Sequence, residues 1–162
     1  MDALDSILVP ADGSSPSIAA LEHATALVAD GHATIDVLYV DSPEELAASL
    51  VPDVRAELER SLSEAIARAQ AQLGARLRRR DAIGDPLRVI LETASEGHHD
   101  LIILGTHGRT GRLHSMLGSV AEGVVRNAPC PVLTVREASP GYQSFAERRH
   151  GRATIAEQLA HH

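Results

Sequence analysis

Residues 101–108, Leu-Ile-Ile-Leu-Gly-Thr-His-Gly, decide the fold of this chain. Four consecutive apolar residues are typical of a strand buried on both faces, as in a parallel sheet covered by helices. A polar, glycine-containing segment follows from Gly105 to Gly118. Residues 119–127 then have the apolar spacing of a helix, with Val120, Val124 and Val125 predicted to face inward. The stretch predicts a strand and a helix joined by an unusually long loop.

The first forty residues show the same alternation. Residues 6–9 form a short apolar run that predicts the first strand. Pro16 suits the first turn of a helix, a serine at 14 or 15 suits its N-cap, and Gly31 suits its end. Residues 33–40 predict the next strand, so the segment reads as a βαβ unit with a right-handed crossover.

The remaining segments extend this pattern to the end of the domain. Residues 53–74 are spaced as a long amphipathic helix, residues 85–97 as a shorter one, and residues 132–135 as a last strand. Residues 75–83 alternate only weakly and contain three arginines at 78–80, which predicts an edge strand with solvated charges. Strands that alternate with helices throughout indicate an α/β fold, a doubly wound parallel sheet with helices on both faces.

Composition excludes several functions. The chain has fifteen basic residues, all of them arginine, against twenty-two acidic ones, a net charge of −7. Without lysine it has neither a Schiff-base nucleophile nor the lysine of a P-loop. The negative charge disfavours nucleic acid, and three aromatic residues are too few for base-stacking platforms.

Length and cysteine usage bound the organisation of the 162 residues. They suit one domain, which we place at 1–136, followed by a tail at 137–162 that we expect to be disordered or a short helix. Every apolar run is far shorter than the roughly 20 residues of a membrane-spanning helix. A single cysteine, Cys130, and the lack of a charged-then-apolar leader lead us to expect a cytoplasmic protein.

Three loops qualify as a ligand site, because doubly wound sheets bind ligands beyond the carboxyl ends of their strands. They are residues 10–14, 40–42 and 105–119. In the third loop, glycines let amide groups approach a phosphate, and the following helix start favours an anion. Arg109 and Arg112 lie inside it and are candidates to neutralise phosphate charge, although a GxxG pattern alone also occurs in ordinary turns.

The chain resembles the universal stress protein family in the first and third of these loops and in the strands before them. The nucleotide-binding branch of that family has G, two residues, G, nine residues, then G and S or T, which Gly105, Gly108, Gly118 and Ser119 reproduce. The resemblance covers roughly residues 3–136 and is carried by residues 7–14, 100–111, 117–122 and 128–135.

The resemblance implies a five-stranded sheet in the order 3-2-1-4-5, with ATP across the strand ends. It places Asp12 at the ribose or adenine side, the backbone of Val40 at the adenine edge, and Gly108 and Arg109 at the phosphates together with Ser119 and Val120. Ala11 stands where the family commonly has valine or threonine, which leaves only the backbone for contact. The full set of candidate nucleotide-binding residues is Pro10, Ala11, Asp12, Val40, Gly105, His107, Gly108, Arg109, Gly118, Ser119 and Val120.

Several of these residues have a second interpretation. Asp12 also suits an Asx turn, and His107 either contacts phosphate or caps the loop. The histidines lack a consistent ligand spacing, so exposed turn positions are favoured over a metal site. They are His98, His99, His114, His161 and His162. Cys130, between two prolines, is expected to be a small buried residue rather than a nucleophile.

The resulting functional hypothesis is a stress-response regulator that binds ATP, with Mg²⁺ carried by the nucleotide, and acts as a dimer. Family resemblance implies a homodimer through the last strand, Val132, Leu133, Thr134 and Val135. The alternatives are a slow ATP hydrolase of the same fold and a dimeric scaffold without nucleotide. Hydrolysis is disfavoured because the loop offers no lysine, no general base beside the glycines and no second carboxylate motif for magnesium.

Overall fold

The computed structural model describes residues 4–44, 52–107 and 117–137. The strands are β1 (Ser6–Pro10), β2 (Thr34–Asp41), β3 (Leu77–Ile83), β4 (Leu101–Gly105) and β5 (Val132–Val135). The helices are α1 (Ser15–Val28), α2 (Pro52–Leu73), α3 (Pro86–Glu96) and α4 (Ser119–Asn127), and a 3-10 turn at Gly74–Arg76 leads into β3.

All five strands pair in parallel, in the order β3-β2-β1-β4-β5. Both the fold class and the strand order predicted above are therefore confirmed. β1 is flanked by β2 and β4, and its three central residues have no exposed surface. Continuous apolar runs predicted these strands because both faces of a parallel sheet are buried.

Two apolar cores lie on opposite faces of the sheet. On one face, Leu21 of α1 and Leu62 and Ile66 of α2 pack over Val37 of β2. On the other, Ile90 of α3 and Val124 of α4 pack over the sheet. Helices that follow β1 and β2 thus cover one face, and helices that follow β3 and β4 cover the other.

Helix starts follow local chemistry. The Asp85 carboxylate accepts a hydrogen bond from the Arg88 amide at 2.8 Å, and Pro86 follows as the first helical residue. Ser14 is the N-cap residue of α1, as predicted, but its hydroxyl makes no capping bond. That hydroxyl instead donates to Asp12.

The arginine triplet of β3 is only partly the solvated edge that the sequence predicted. Arg78 and Arg80 lie beside Asp36 of β2, which is 3% exposed, at 2.9 and 3.1 Å from its carboxylate oxygens. Arg79 pairs with Asp81 on the opposite face, and this ion pair raises the pKa of its guanidinium. The carboxylate buried at Asp36 determines where two of these cations lie, because a buried charge requires partners.

His99 was also wrongly predicted as an exposed turn residue. It is buried, and its Nε2 lies 3.1 Å from the Asp36 carboxylate. Its neighbour His98 is exposed, as expected, with a positive φ of 49°. Among helix residues, Val125 was predicted to face inward but is 47% exposed, while Val124 is fully buried.

In the described part of the chain, no helix combines the length and the apolar character needed to span a membrane. The predicted tail lies outside the described residues from position 138 onward.

Candidate functional site

The strand order reverses between β1 and β4, and doubly wound sheets bind ligands in the crevice at the carboxyl ends of such a pair of strands. After β1 the chain enters α1 on one face, and after β4 it leads to α4 on the other. Because these neighbouring strands send their connections to opposite faces, a ligand site is expected between the two strand ends. The candidate residues at the ends of β1, β2 and β4 all belong to this edge.

The loop after β1 is a tight polar turn. The Asp12 carboxylate oxygen Oδ1 accepts hydrogen bonds from the Ser14 amide at 3.0 Å and from the Ser14 hydroxyl at 2.5 Å. The Gly13 amide donates to the Ser17 hydroxyl, which in turn donates to the Ser14 carbonyl. Asp12 therefore forms an Asx turn through its Oδ1 atom, as the structural interpretation predicted.

Pro10 ends β1, and Ala11 still pairs with β2, since its amide donates to the Leu38 carbonyl at 2.9 Å. Within a strand, the N–H and C=O of one residue point to the same side, and successive residues alternate. The backbone N–H and C=O of Leu38 point toward β1. Those of Val40, two residues further along β2, therefore point the same way, beyond the place where β1 has ended. The backbone donor and acceptor of Val40 therefore face the crevice.

On the other side of the crevice, Gly105 ends β4 with a close packing contact. A Cβ atom at this position would lie 2.8 Å from Pro16 and 2.9 Å from the Ser17 amide nitrogen. The absence of a side chain lets the first turn of α1 approach the strand. Gly105 thus has a packing role that the glycine pattern alone did not reveal.

The two ends of the long loop are joined. Thr106 is buried, its amide donates to the Val135 carbonyl, and its own carbonyl accepts from the Gly118 amide at 2.7 Å. His107 Nδ1 lies 3.1 Å from the Thr106 hydroxyl. Thr106 and Gly118 therefore lie next to each other at the end of β4.

Gly118 is also the N-cap residue of α4, and having no side chain it leaves the helix start without a side-chain cap. The first amides of α4 belong to Ser119, Val120 and Ala121. The Glu122 amide is the first that bonds back to the Gly118 carbonyl. First-turn amides, which have no partner within their own helix, and the positive end of the helix dipole suit an anion.

Not every predicted residue can be placed. Gly108, Arg109 and Arg112 lie outside the described residues, as does His114. Cys130 lies before β5, away from the crevice edge, and burial raises the pKa of its thiol, which disfavours a thiolate nucleophile. Within ranges 4–44, 52–107 and 117–137, no group of three or more histidine, cysteine or acidic residues is arranged to hold a metal ion.

Two contacts near the crevice were not predicted from the sequence. Arg55 of α2 forms an ion pair with Asp41 at the end of β2, with Nη2 2.7 Å from Oδ2. The Leu58 carbonyl lies against Gly13, where a Cβ atom would be only 2.0 Å from the oxygen. These partners are 14 and 45 positions apart in sequence, so no local pattern announces them.

Comparisons with known proteins agree with the fold. The model of the universal stress protein family matches residues 4–136. A universal stress protein of Methanocaldococcus jannaschii is 32% identical over 138 residues, covering 81% of each chain.

Two solved structures are similar over most of the chain. A universal stress protein from Lactobacillus plantarum has a TM-score of 0.71 at 25% identity and covers 84% of this chain and 100% of that one. A universal stress protein in complex with cAMP has a TM-score of 0.64 at 25% identity, over 85% of this chain and 100% of that one. The chain therefore belongs to the universal stress protein family.

Proposed function

We propose that this protein binds ATP in the crevice between β1 and β4, with Mg²⁺ carried by the nucleotide, and that it acts as a dimeric regulator in a stress response. Binding, rather than hydrolysis, is the proposed activity. The nucleotide state would alter which downstream partner the dimer contacts.

The observation that carries the proposal is the hydrogen bond from the Gly118 amide to the Thr106 carbonyl at 2.7 Å. It fixes the start of α4 directly beside the end of β4. This position supports phosphate binding by the amides of Ser119 and Val120 at the start of α4. Gly108 and Arg109 lie outside the described residues, and their phosphate contacts stay a prediction.

The base would lie at Val40. Its N–H and C=O face the space beyond β1 and form a donor beside an acceptor. Adenine offers the matching pair, an amino donor beside a ring-nitrogen acceptor, whereas guanine presents a carbonyl oxygen in place of the amino group. The backbone at Val40 thus favours adenine over guanine. The relative of 25% identity that was solved with cAMP supports an adenine nucleotide as the ligand class.

The dimer is proposed to form through β5. This strand is at the edge of the sheet and has only four residues, and Leu133 is 43% exposed on it. An uncovered apolar edge strand tends to pair with another chain. A second copy paired along β5 would cover it.

Calorimetric titration with ATP tests the binding claim. Gly118→Val places a branched side chain at the start of α4, and the Cβ atom would lie 3.3 Å from the Thr106 carbonyl oxygen, so only a small local shift is needed. The φ of −68° suits any residue. We expect ATP binding to be lost while the thermal transition survives.

Gly31→Val is the matched control, because a Cβ atom there has 3.8 Å to its nearest neighbour, the Val28 carbonyl oxygen. It should bind ATP as the wild type does. Undiminished affinity in Gly118→Val would refute the phosphate site at α4. A phosphate-release assay with Asp12→Ala as control separates binding from hydrolysis, since turnover that disappears in that variant would favour an enzyme.

A further inference from the structure

Helix α2 is attached to the rest of the protein in two different ways. Its second part buries Leu62, Ala65, Ile66, Ala69 and Leu73 in the core. Residues 52–61 bury no side chain, and Arg55 and Leu58 are only half-buried. The first turns of α2 therefore depend on a few specific contacts rather than on apolar burial.

The first of these contacts is the Arg55–Asp41 ion pair. The Arg55 guanidinium lies 2.7 Å from Asp41 Oδ2, and the Tyr39 hydroxyl donates to Asp41 Oδ1 at 3.2 Å. The Asp41 carbonyl accepts from the Gly84 amide at 3.0 Å. The side chain and the backbone of Asp41 are thus both held.

Asp41 directly follows Val40, the residue whose backbone faces the crevice. The Val40 carbonyl and the Asp41 amide belong to one planar peptide unit. Rotation about the backbone bonds on either side of this peptide unit would therefore turn the Val40 carbonyl away from the proposed base. Holding Asp41 sets the direction of the acceptor that would distinguish adenine from guanine.

The second contact lies three residues further along the same helix. The Leu58 carbonyl touches the backbone of Gly13, which belongs to the loop after β1. Residues three apart lie on the same side of a helix. One side of α2 consequently contacts both the end of β2 and the loop after β1, which border the proposed base and ribose end of the crevice.

We propose that Arg55 is a positioning residue for the nucleotide base, acting through Asp41 and the first turns of α2. The role rests on the proposed function and goes beyond it, because it assigns base selectivity to a side chain outside the crevice. The side chains of Arg55 and Asp41 are 32% and 19% exposed, so solvent still reaches both groups and weakens the pair.

Arg55→Gln tests this role, by titration with ATP and with GTP and by thermal unfolding. We expect ATP affinity to fall by about fivefold, the order of one half-exposed ion pair, and GTP affinity to change much less. The unfolding temperature should change little. Arg55→Lys restores the cation and should recover most of the affinity for ATP.

Arg88→Gln is the matched control, since it removes an arginine paired with Glu92 on α3. It should leave both affinities unchanged. Equal losses for ATP and GTP in Arg55→Gln, or no loss for ATP, would overturn the positioning role alone. A wild type that binds neither nucleotide would instead refute the proposed function, and the role of Arg55 with it.

Discussion

At the scale of single residues, Gly13 shows how closely the crevice loops are packed. Its φ is +86°, and a Cβ atom would lie 2.0 Å from the Leu58 carbonyl oxygen. Gly13→Ala must accept left-handed backbone strain and move α2. We expect a loss of ~2 kcal/mol or more in the free energy of unfolding, measured in urea.

The control for this change is Gly31→Ala, at a position with open space and no positive φ. It should stay within ~0.5 kcal/mol of the wild type. If the two alanine variants were equally stable, the close contact between the loop after β1 and α2 would be wrong.

Asp100 gives a pH-dependent prediction. Its carboxylate accepts hydrogen bonds from the Ser6 amide at 2.9 Å and the Asp5 amide at 3.0 Å, and these bonds lower its pKa. A lowered pKa in the folded state means that the stabilisation is complete above the ordinary aspartate pKa of about 3.9 and is lost as the pH falls through the folded value.

Asp100→Asn should therefore be less stable than the wild type at pH 7, and the difference should shrink in urea unfolding at progressively lower pH. Glu64→Gln, an exposed change of the same charge, provides the reference. A deficit that stays constant well below the ordinary aspartate pKa would contradict the assigned hydrogen bonds.

Residue-level prediction from sequence succeeded where the cause is local and failed where it is tertiary. The Asp12 turn and the Asp85 cap follow from neighbours within three positions. His99, Arg78 and Arg80 depend on Asp36, whose burial becomes apparent only when β2 lies inside the sheet. Gly105 was predicted to be a nucleotide-binding residue from the glycine pattern, whereas its packing against Pro16 requires the position of α1.

At the scale of elements, local signals placed the strands and helices to within one or two residues, except that α1 ends at Val28, three residues before the predicted Gly31. The strand predicted at 75–83 begins at Leu77, because a 3-10 turn occupies Gly74–Arg76. Arg76 in that turn donates to the Val28, Gly31 and Ala33 carbonyls, which lie at and beyond the end of α1. This tie between two distant elements leaves no periodic pattern in the sequence.

In the candidate site, the sequence likewise predicts where the loop between β4 and α4 begins and ends, but not the contacts that α2 makes with the neighbouring residues. The glycine spacing placed a loop between β4 and α4, and Thr106 joins the two ends of that loop. The support from α2, through Arg55 and Leu58, comes from an element that follows β2 and not β4. The spacing of the glycine motif predicts the loop, whereas the contacts of α2 depend on how the helices pack on the sheet.

At the scale of the whole molecule, we predict that two copies of the chain pair through the sheet edge at β5. Leu133→Arg adds a charge to β5 where the leucine is 43% exposed, so the isolated fold should tolerate it. We expect a dimer for the wild type and a monomer for this variant in light scattering, because a charged edge resists pairing.

The opposite edge strand supplies the matched control. Ile83 of β3 is 70% exposed, and Ile83→Arg should leave the mass in solution unchanged. A monomeric wild type, or a dimer that persists in Leu133→Arg and dissociates in Ile83→Arg, would contradict pairing through β5.

The central proposal is that backbone amide groups at one edge of the sheet bind a nucleotide. The most direct test is a crystal structure of the protein grown with ATP. It should show the adenine against the Val40 backbone and phosphate oxygens within hydrogen-bond distance of the Ser119 and Val120 amides. A crevice that is empty at saturating ATP, or a nucleotide bound elsewhere on the molecule, would contradict it.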